Sequence, residues 1–287
     1  MERMKASGWP FLMPALVLLG LFMIYPILSS LWMSFQTGRG TNLEFGGLTN
    51  ISRLTQDPVF LQALVNTGIF LVVQVPVMIV LALLMASLLN NPNLRFRGLL
   101  RTAIFLPCVT SLVAYAILFK SMFALDGVVN QSLQALYIIS DPIPWLSDPF
   151  WAKVLVILGI TWRWTGYNMI FYLAALQNID RSIYEAAKVD GIPQRAVFFK
   201  LTVPMLKPVI LFTCVMSTIG TLQLFDEVVN LTGGGPGDST LTLSMYIYNL
   251  TFRFLPNFGY AATVSYVIVI LVAILSFIQF YVARDRK

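Results

Sequence analysis

Charged and hydrogen-bonding side chains interrupt two long apolar runs of this sequence, and they are its candidates for chemistry. Arg163 lies in the first of these runs, and Asp226 and Glu227 lie near the end of the second. Because a charge inside a membrane is costly, residues of this kind are by default assigned a function, such as lining a cavity for a polar ligand. The candidate pathway residues on the two predicted helices are Trp164, Tyr167, Asn168, Ser217, Thr221, Gln223, Leu224 and Asp226.

A structural role is the alternative for the same residues. The two predicted helices bring Arg163 and Asp226 to the same side of the membrane, where they can form an ion pair or hold the helix ends at the interface. Ser217, Gly220 and Thr221 share one helix face, and small residues of this kind also let two helices pack closely. The sequence leaves the pathway and packing interpretations open.

Composition excludes several kinds of catalytic site. The sequence contains no histidine, which excludes imidazole metal sites, Ser-His-Asp triads and histidine bases. Its two cysteines, Cys108 and Cys214, lie in apolar runs and are typical of small core side chains rather than of a disulfide or a metal pair. The phosphate-binding pattern GxxxxGK[ST] does not occur either. We therefore predict no catalytic residues, no metal site and no cofactor.

Membrane-spanning helices must position the candidate residues. Of the 287 residues, 57% are hydrophobic and 11% are charged, whereas a soluble domain is about 25% charged. A net charge of +6 is also found in nucleic-acid-binding proteins, but this composition is that of an integral membrane protein, and we predict no nucleic-acid partner. A bilayer is crossed by about 20 apolar residues, and the six spans of the predicted all-α fold are 12–35, 62–89, 102–123, 151–177, 207–228 and 259–282.

The distribution of lysine and arginine predicts the orientation of these spans. Placing both termini in the cytoplasm puts most of the 19 Lys and Arg residues inside. Both ends contribute, with Arg3 and Lys5 before the first span and Arg286 and Lys287 after the last. We therefore predict that both termini are cytoplasmic.

Two prolines lie at membrane depth within the predicted spans. Pro76 in the second span and Pro107 in the third each free a backbone carbonyl that must find another donor. Both are candidate kinks, either static or involved in gating.

The predicted cytoplasmic loop between the fourth and fifth spans has the pattern of two short helices joined by a tight turn. Asp180 is a candidate cap for the first helix, and Gly191 ends it. The small side chains of Ala186 and Ala187 would let another surface approach the backbone closely. The pattern predicts a docking element, with an amphipathic interfacial helix as the alternative.

This loop and four later segments carry a family resemblance. The matching residues are Glu185-Ala186-Ala187, Asp190-Gly191 and Leu201-Thr202-Val203-Pro204, followed by 221–226, 231–236, 246–248 and 258–262. They resemble the EAA loop and core motifs of carbohydrate-uptake ABC importer permeases of the maltose and glycerol-phosphate type. The LTGGGP run is similar to the first of the two paired permeases. The family usually has an alanine and an aromatic after the glycine, whereas this chain has Ile192, Pro193 and Gln194, so no family contact is carried over to these three positions.

The resemblance implies a type I importer permease fold with six transmembrane helices. Residues 1–60 would form an N-terminal span and external loop, and 61–287 the core, with a cytoplasmic coupling loop at about 178–208. The implied partners are a second permease subunit, usually in a heterodimer, two cytoplasmic ATPase subunits that bind and hydrolyse ATP, and an extracellular solute-binding protein. The chain would then be a non-enzymatic, multi-pass protein of a prokaryotic inner membrane, in contact with lipid.

The resemblance also implies roles for individual residues. Those expected to contact the ATPase are Glu185, Ala186, Ala187, Asp190, Gly191 and Pro204. A carbohydrate suits the pathway residues because aromatic rings cover the CH face of a pyranose, while amide or charged groups bind its hydroxyls. The alternative function is a stand-alone secondary transporter, which would need internal inverted repeats that this sequence does not show.

Overall fold

The computed structural model describes residues 9–40 and 42–284, most of which are helical. Arg3, Lys5, Arg286 and Lys287 lie outside the described residues, so the cytoplasmic position of the termini stays a prediction. The described residues up to 61 form one compact unit together with Tyr246–Val269, and Gln62–Met245 with 270–284 form a second.

The first unit is built around a long apolar helix, α1 (Trp9–Ser34), and a small hairpin of β1 (Gln36–Arg39) and β2 (Asn42–Phe45). The hairpin is antiparallel, with Gln36 opposite Phe45. The sequence analysis predicted no strand. The hairpin needs positive φ at residues 38 and 40, and the segment TGRG has glycine at both positions. The remaining parts of this unit are α2 (Thr49–Leu54), the part of α12 (Leu243–Tyr248) from Tyr246 onward, and the first half of α13 (Phe258–Ala283).

Side-chain and backbone hydrogen bonds hold the end of α1 in the first unit. Asn50 donates from Nδ2 to the carbonyls of Ser34 and Gln36, at 3.0 and 2.7 Å. Thr263 on α13 also donates to the carbonyl of Ser34, at 3.0 Å. A Cβ at Gly259 would overlap the carbonyl oxygen of Gln36, so this position requires glycine. The end of the first predicted span is thus held by hydrogen bonds from α2 and α13 and by the close approach of Gly259.

The second unit contains α3 (Pro58–Leu89) from residue 62 onward, and most of the remaining helices. In chain order these helices are α4 (Arg97–Val109), α5 (Leu112–Met122), α6 (Val128–Ala135), α7 (Pro149–Gln177), α8 (Arg181–Val189), α9 (Gln194–Met205), α10 (Lys207–Leu222) and α11 (Asp226–Leu231). Helix α7 packs on both apolar clusters of the unit. Its residues Met169 and Tyr172 pack with α3, and Leu155 packs with Tyr115 of α5. A Cβ at Gly166 would overlap the Ile104 carbonyl of α4, which shows how closely these two helices approach.

The described helices account for three to five membrane spans by length and composition. Helices α1, α3 and α13 are each long and apolar enough, and two bent pairs, α4 with α5 and α9 with α10, bring the number to five. Helix α7 has 29 residues but is not apolar enough for the same test. The coarser prediction of a helical multi-span protein is confirmed, while six spans remain a prediction.

The third predicted span, 102–123, is not a single helix. Helices α4 and α5 meet at an angle of 101°. The bend lies at Thr110 and Ser111, whose backbones are extended, with ψ of 143° and 131°, and not at Pro107 inside α4. Pro76 lies inside α3 without ending it. The predicted kink at Pro107 is therefore displaced to the two residues at 110–111, and a kink at Pro76 stays a prediction.

The fifth predicted span, 207–228, is also interrupted. Helix α10 ends at Leu222 and α11 begins at Asp226, so residues 223–225 are unwound. The hydroxyl of Thr242 donates to the carbonyl of Leu224 at 2.6 Å and replaces the helical bond lost there. This break directs Gln223 and Leu224 into the space beside α7.

Candidate functional site

A cavity of about 540 Å³ in the second unit contains all eight predicted pathway residues in its lining. Helix α7 contributes one wall, and α10 with the unwound residues 223–225 contributes another. The volume lies within the range of about 300–1,000 Å³ that is usual for small-molecule sites. The eight lining residues are Trp164, Tyr167, Asn168, Ser217, Thr221, Gln223, Leu224 and Asp226.

A buried network of polar side chains supports one side of the cavity. The hydroxyl of Thr221 donates to Gln74 Oε1 at 3.2 Å, and Gln74 Nε2 donates to the Met78 sulfur at 3.2 Å. Asn168 Nδ2 donates to the same sulfur at 3.4 Å and to the Trp164 carbonyl at 3.1 Å. Gln74 and Asn168 are 1% and 4% exposed, so they orient the lining rather than offer free surface. Buried networks in which every member is bonded are rigid.

The sequence analysis missed Gln74 and Met78, both of which line the cavity. A usable signal was present, because Gln74 is a single polar residue in the run LVVQVPVMIV. A polar side chain at that depth needs a partner from another helix.

The ion pair of the cavity is formed by Arg163 and Glu227. Arg163 Nε lies 3.7 Å from Glu227 Oε1, and their side chains are 12% and 8% exposed. Trp164 Nε1 donates to the same oxygen at 2.9 Å. The pairing of Arg163 with Asp226 considered above is therefore corrected. Asp226 begins α11 and is exposed, whereas the next residue points about 100° away around the helix, toward α7.

Aromatic rings complete the surroundings of Arg163. Its guanidinium carbon lies 5.7 Å from the ring centre of Tyr115 and 5.9 Å from that of Trp164, within the distance of a cation–π contact. The Nε and Nη1 atoms of Arg163 are buried and have no hydrogen-bond partner among the described residues. These two donors are enclosed by the protein, although other atoms of Arg163 line the cavity.

The second candidate site is the predicted coupling loop, where α8 has the expected ends. Asp180 accepts a hydrogen bond from the Ser182 backbone N–H at 2.9 Å. This bond and the Ser182 side chain hold the pKa of Asp180 below its usual value. At the other end, Gly191 has a φ of +68°. Ile192 donates to the Ala187 carbonyl at 3.0 Å, and Gly191 to that of Lys188 at 3.2 Å. This bonding pattern is a Schellman motif.

Exposure divides the six predicted coupling residues into two groups. The five that present surface to solvent are Glu185, Ala186, Asp190, Gly191 and Pro204. Ala187 is only 4% exposed. Its side chain is covered by the chain itself, and the ATPase contacts of all six residues stay a prediction. A hypothetical Cβ at Gly191 meets no atom within 4 Å, so the space beside this turn is open.

Comparison with known proteins identifies the class to which this fold and cavity belong. Residues 78–287 match the family described as binding-protein-dependent transport system inner membrane components, and the chain belongs to this family. The permease resemblance found in the sequence is thereby confirmed.

The named relatives are sugar permeases. The lactose transport system permease protein LacF of Rhizobium radiobacter is 70% identical to this chain, covering 98% of the chain and 95% of that protein. The arabinooligosaccharides transport system permease protein AraP of Halalkalibacterium halodurans is 34% identical, with coverages of 97% and 86%.

A solved structure has the same fold. It is the crystal structure of a bacterial ABC transporter involved in the import of the acidic polysaccharide alginate, with a TM-score of 0.85 and 22% identity. The match covers 99% of this chain and 97% of that one.

Proposed function

We propose that this chain is the membrane-spanning permease subunit of an ATP-driven importer, and that its cavity is the route of a sugar or oligosaccharide. One observation carries the proposal: eight residues chosen for a polar pathway, from segments more than 40 positions apart, line one cavity. Aromatic rings, a hydroxyl wall and an oriented carboxylate suit a carbohydrate. Lactose is the first substrate to test, given the name of the relative at 70% identity.

The proposed topology has six spans and both termini in the cytoplasm. Helix α7, the fourth span in chain order, adds one crossing to the five found by length and composition. Its polar residues are tolerated because 13 of its 29 residues are buried by the protein itself. Residues 1–60 form the N-terminal span and external loop, and 61–287 form the transport core, in a prokaryotic inner membrane. The family description as inner membrane components supports this location.

The proposed partners are a second permease subunit, two cytoplasmic ATPase subunits and an extracellular solute-binding protein. The family description as binding-protein-dependent supports the last of these. A structure of similar fold contains the alginate transporter with a periplasmic protein bound to an alginate pentasaccharide. The ATPase subunits bind and hydrolyse ATP, and this chain supplies no catalytic residue and needs no cofactor of its own.

The proposed coupling element is the loop at about 178–208. Glu185, Ala186, Asp190 and Gly191 are all exposed, and α8 has a cap at each end. An exposed helix whose end groups are hydrogen-bonded can transmit movement of an ATPase subunit, because its terminal turns stay helical.

The test of the pathway is replacement of Tyr167, which is 39% exposed and lines the cavity. In proteoliposomes that contain the full importer, we expect Tyr167→Ala to lower ATP-dependent lactose uptake about tenfold, through loss of ring contacts worth about 1 kcal/mol or more. Tyr281→Ala is the matched control, because Tyr281 is exposed on α13 and does not line the cavity. Unchanged uptake in Tyr167→Ala, or lactose uptake that needs no ATP, would contradict the proposal.

A further inference from the structure

The first two turns of α4 carry a positive charge that no acidic residue nearby in the sequence balances. Arg97 begins this helix and Arg101 follows about one turn later, while the chain has no aspartate or glutamate between Asp57 and Asp126. Neither arginine forms an ion pair within the part of the chain that the structure describes. The described residues therefore leave both charges uncompensated.

The spacing of the two arginines brings their side chains to the same face of α4. Two like charges that lie four residues apart destabilise a helix. An anionic group that binds between Arg97 and Arg101 reverses this effect, because each guanidinium can donate charge-assisted hydrogen bonds to it. The pair therefore provides donors from two side chains for a single anion.

Arg101 is the more enclosed of the two side chains. Its Nε atom is buried and has no hydrogen-bond partner among the described residues, whereas Arg97 is exposed. Three residues further along α4, Ile104 packs on the apolar cluster shared by α3 and α7. A polar group that loses water in such surroundings is costly unless an acceptor reaches it. The enclosed donor of Arg101 thus indicates an acceptor from outside the described residues.

The apolar surroundings of the two arginines indicate what kind of anion binds there. Phe96, Leu99 and Leu100 are exposed in the same part of the chain, and Leu100 borders the face of α4 that carries the arginines. Exposed Leu106 continues the apolar surface along α4, which forms a candidate membrane span together with α5. A soluble phosphate leaves this surface in water, whereas a phospholipid covers it with its acyl chains.

We propose that Arg97 and Arg101 bind the headgroup phosphate of an anionic phospholipid, whose acyl chains lie against Phe96 and Leu100. Basic side chains at the ends of membrane helices bind anionic headgroups in this way. The site lies outside the transport cavity and goes beyond the proposed function.

A lipid bound there affects transport through the contact of α4 with α7. A Cβ at Gly166 of α7 would overlap the Ile104 carbonyl of α4, so the two helices touch three residues beyond Arg101. Helix α7 also forms one wall of the cavity. Neutralising the two arginines holds the start of α4 in place against this wall, and transport therefore depends on anionic lipid.

The experiment measures lipid binding to the full importer in detergent by native mass spectrometry. We expect dioctanoylphosphatidylglycerol to bind more tightly than dioctanoylphosphatidylcholine. Arg97→Gln and Arg101→Gln should each weaken phosphatidylglycerol binding about fivefold. Arg101→Lys should keep most of the affinity because it retains the charge. Arg284→Gln is the matched control, because Arg284 is an exposed arginine that follows the end of α13.

Three results of this measurement would overturn the lipid site. The first is an equal loss of affinity in Arg284→Gln, which would mean unspecific attraction. The second is displacement of the lipid by inorganic phosphate at equal concentration, which would mean a site for a soluble anion. The third is loss of a partner subunit from the double variant Arg97→Gln/Arg101→Gln, which would mean that a protein carboxylate pairs with the arginines.

Uptake in proteoliposomes tests the consequence for transport. We expect ATP-dependent lactose uptake by the wild type to rise when phosphatidylglycerol is added to phosphatidylcholine vesicles, and to rise much less in the double variant. An equal rise in both proteins would overturn the lipid site and leave the proposed function intact. Absence of ATP-dependent uptake by the wild type in every lipid would instead contradict the proposed function, and the binding measurement does not depend on it.

Discussion

At the scale of single residues, the cavity depends on which carboxylate meets Arg163. Glu227 is turned toward α7, where it forms an ion pair with Arg163 and accepts a hydrogen bond from the Trp164 indole. Asp226 is exposed instead. Removing one partner of a buried pair strands the other charge, and this usually costs more than removing both. The pair therefore stabilises the junction of α7 and α11 as well as shaping the site.

We expect Arg163→Met to destabilise the protein, and the additional change Glu227→Gln to recover part of the loss. A double-mutant cycle on these two positions, measured by thermal unfolding of the purified protein in detergent, should give a coupling energy of about 1 kcal/mol or more. The matched cycle with Asp226→Asn should give a value near zero. Equal coupling in both cycles would contradict the assigned pair.

A second carboxylate, Asp57, predicts a dependence of stability on pH. Burial alone would raise the pKa of Asp57, but hydrogen bonds from the hydroxyls of Tyr246 and Tyr260 and the N–H groups of Phe60 and Val59 outweigh it. The pKa is therefore lowered. The ionised form is the one bound in the folded state, so its stabilisation is present above the usual pKa of about 3.9 and is lost as pH falls through the lower, folded-state value.

We expect Asp57→Asn to lower the unfolding temperature at pH 6 and to reduce the further loss that the wild type shows below about pH 4. Unfolding temperatures between pH 6 and pH 3 provide the measurement. An unchanged slope in the variant would show that other groups cause the acid sensitivity.

At the scale of elements, the proposed coupling loop contains a short helix, α8, whose two ends are both closed by local hydrogen bonds. Asp180 caps the first turn, and Gly191 forms the left-handed turn at the other end. The open space beside Gly191 means that a side chain there meets no atom of this chain. Any steric effect of a larger residue must then come from a partner surface, apart from the backbone strain of positive φ.

We expect Gly191→Arg to insert normally into the membrane, to abolish sugar uptake, and to lose the ATPase subunits or their stimulation by the loaded binding protein. Gly191→Asn is the control for backbone strain, because asparagine adopts the left-handed conformation at low cost. It should retain most of the uptake. Co-purification of the ATPase and stimulated hydrolysis in proteoliposomes provide the readouts. Full binding and stimulation in Gly191→Arg would exclude this loop as the coupling element.

At the scale of the whole molecule, two of the proposed membrane crossings differ from a straight apolar helix. The pair α4 and α5 is bent by 101°, and α7 is less apolar than the other long helices. Helix α1, in contrast, has no buried residue in its apolar window and is the most exposed candidate span. Exposed positions before and after these helices report on which side of the membrane each helix end lies.

We expect single cysteines at Asn93 and Asp190 to be labelled from the cytoplasm, and one at Asp141 to be labelled from outside. All three residues are exposed. The background protein would carry alanine at Cys108 and Cys214, and a membrane-impermeant maleimide would be applied to intact cells and to inverted vesicles. Labelling of positions 93 and 141 from one side would make α4 and α5 a re-entrant loop. Labelling of 141 and 190 from one side would show that α7 does not cross.

The sequence alone determined those features that depend on composition and on neighbours along the chain. The apolar length needed to cross a bilayer predicted α1, α3 and α13, and local bonding rules predicted the cap at Asp180 and the turn at Gly191. The sequence also singled out the eight residues that line the cavity, but it left open whether they form a pathway or pack helices together.

Only the tertiary structure decided the features that depend on residues far apart in the chain. The unwound segment at 223–225 is held by Thr242, and Thr221 is oriented by Gln74, which is 147 positions away. The choice of Glu227 over Asp226 follows from where α11 begins, and that start follows from the break before it. Short-range patterns cannot specify such contacts, because each partner acquires its position only when the helices pack.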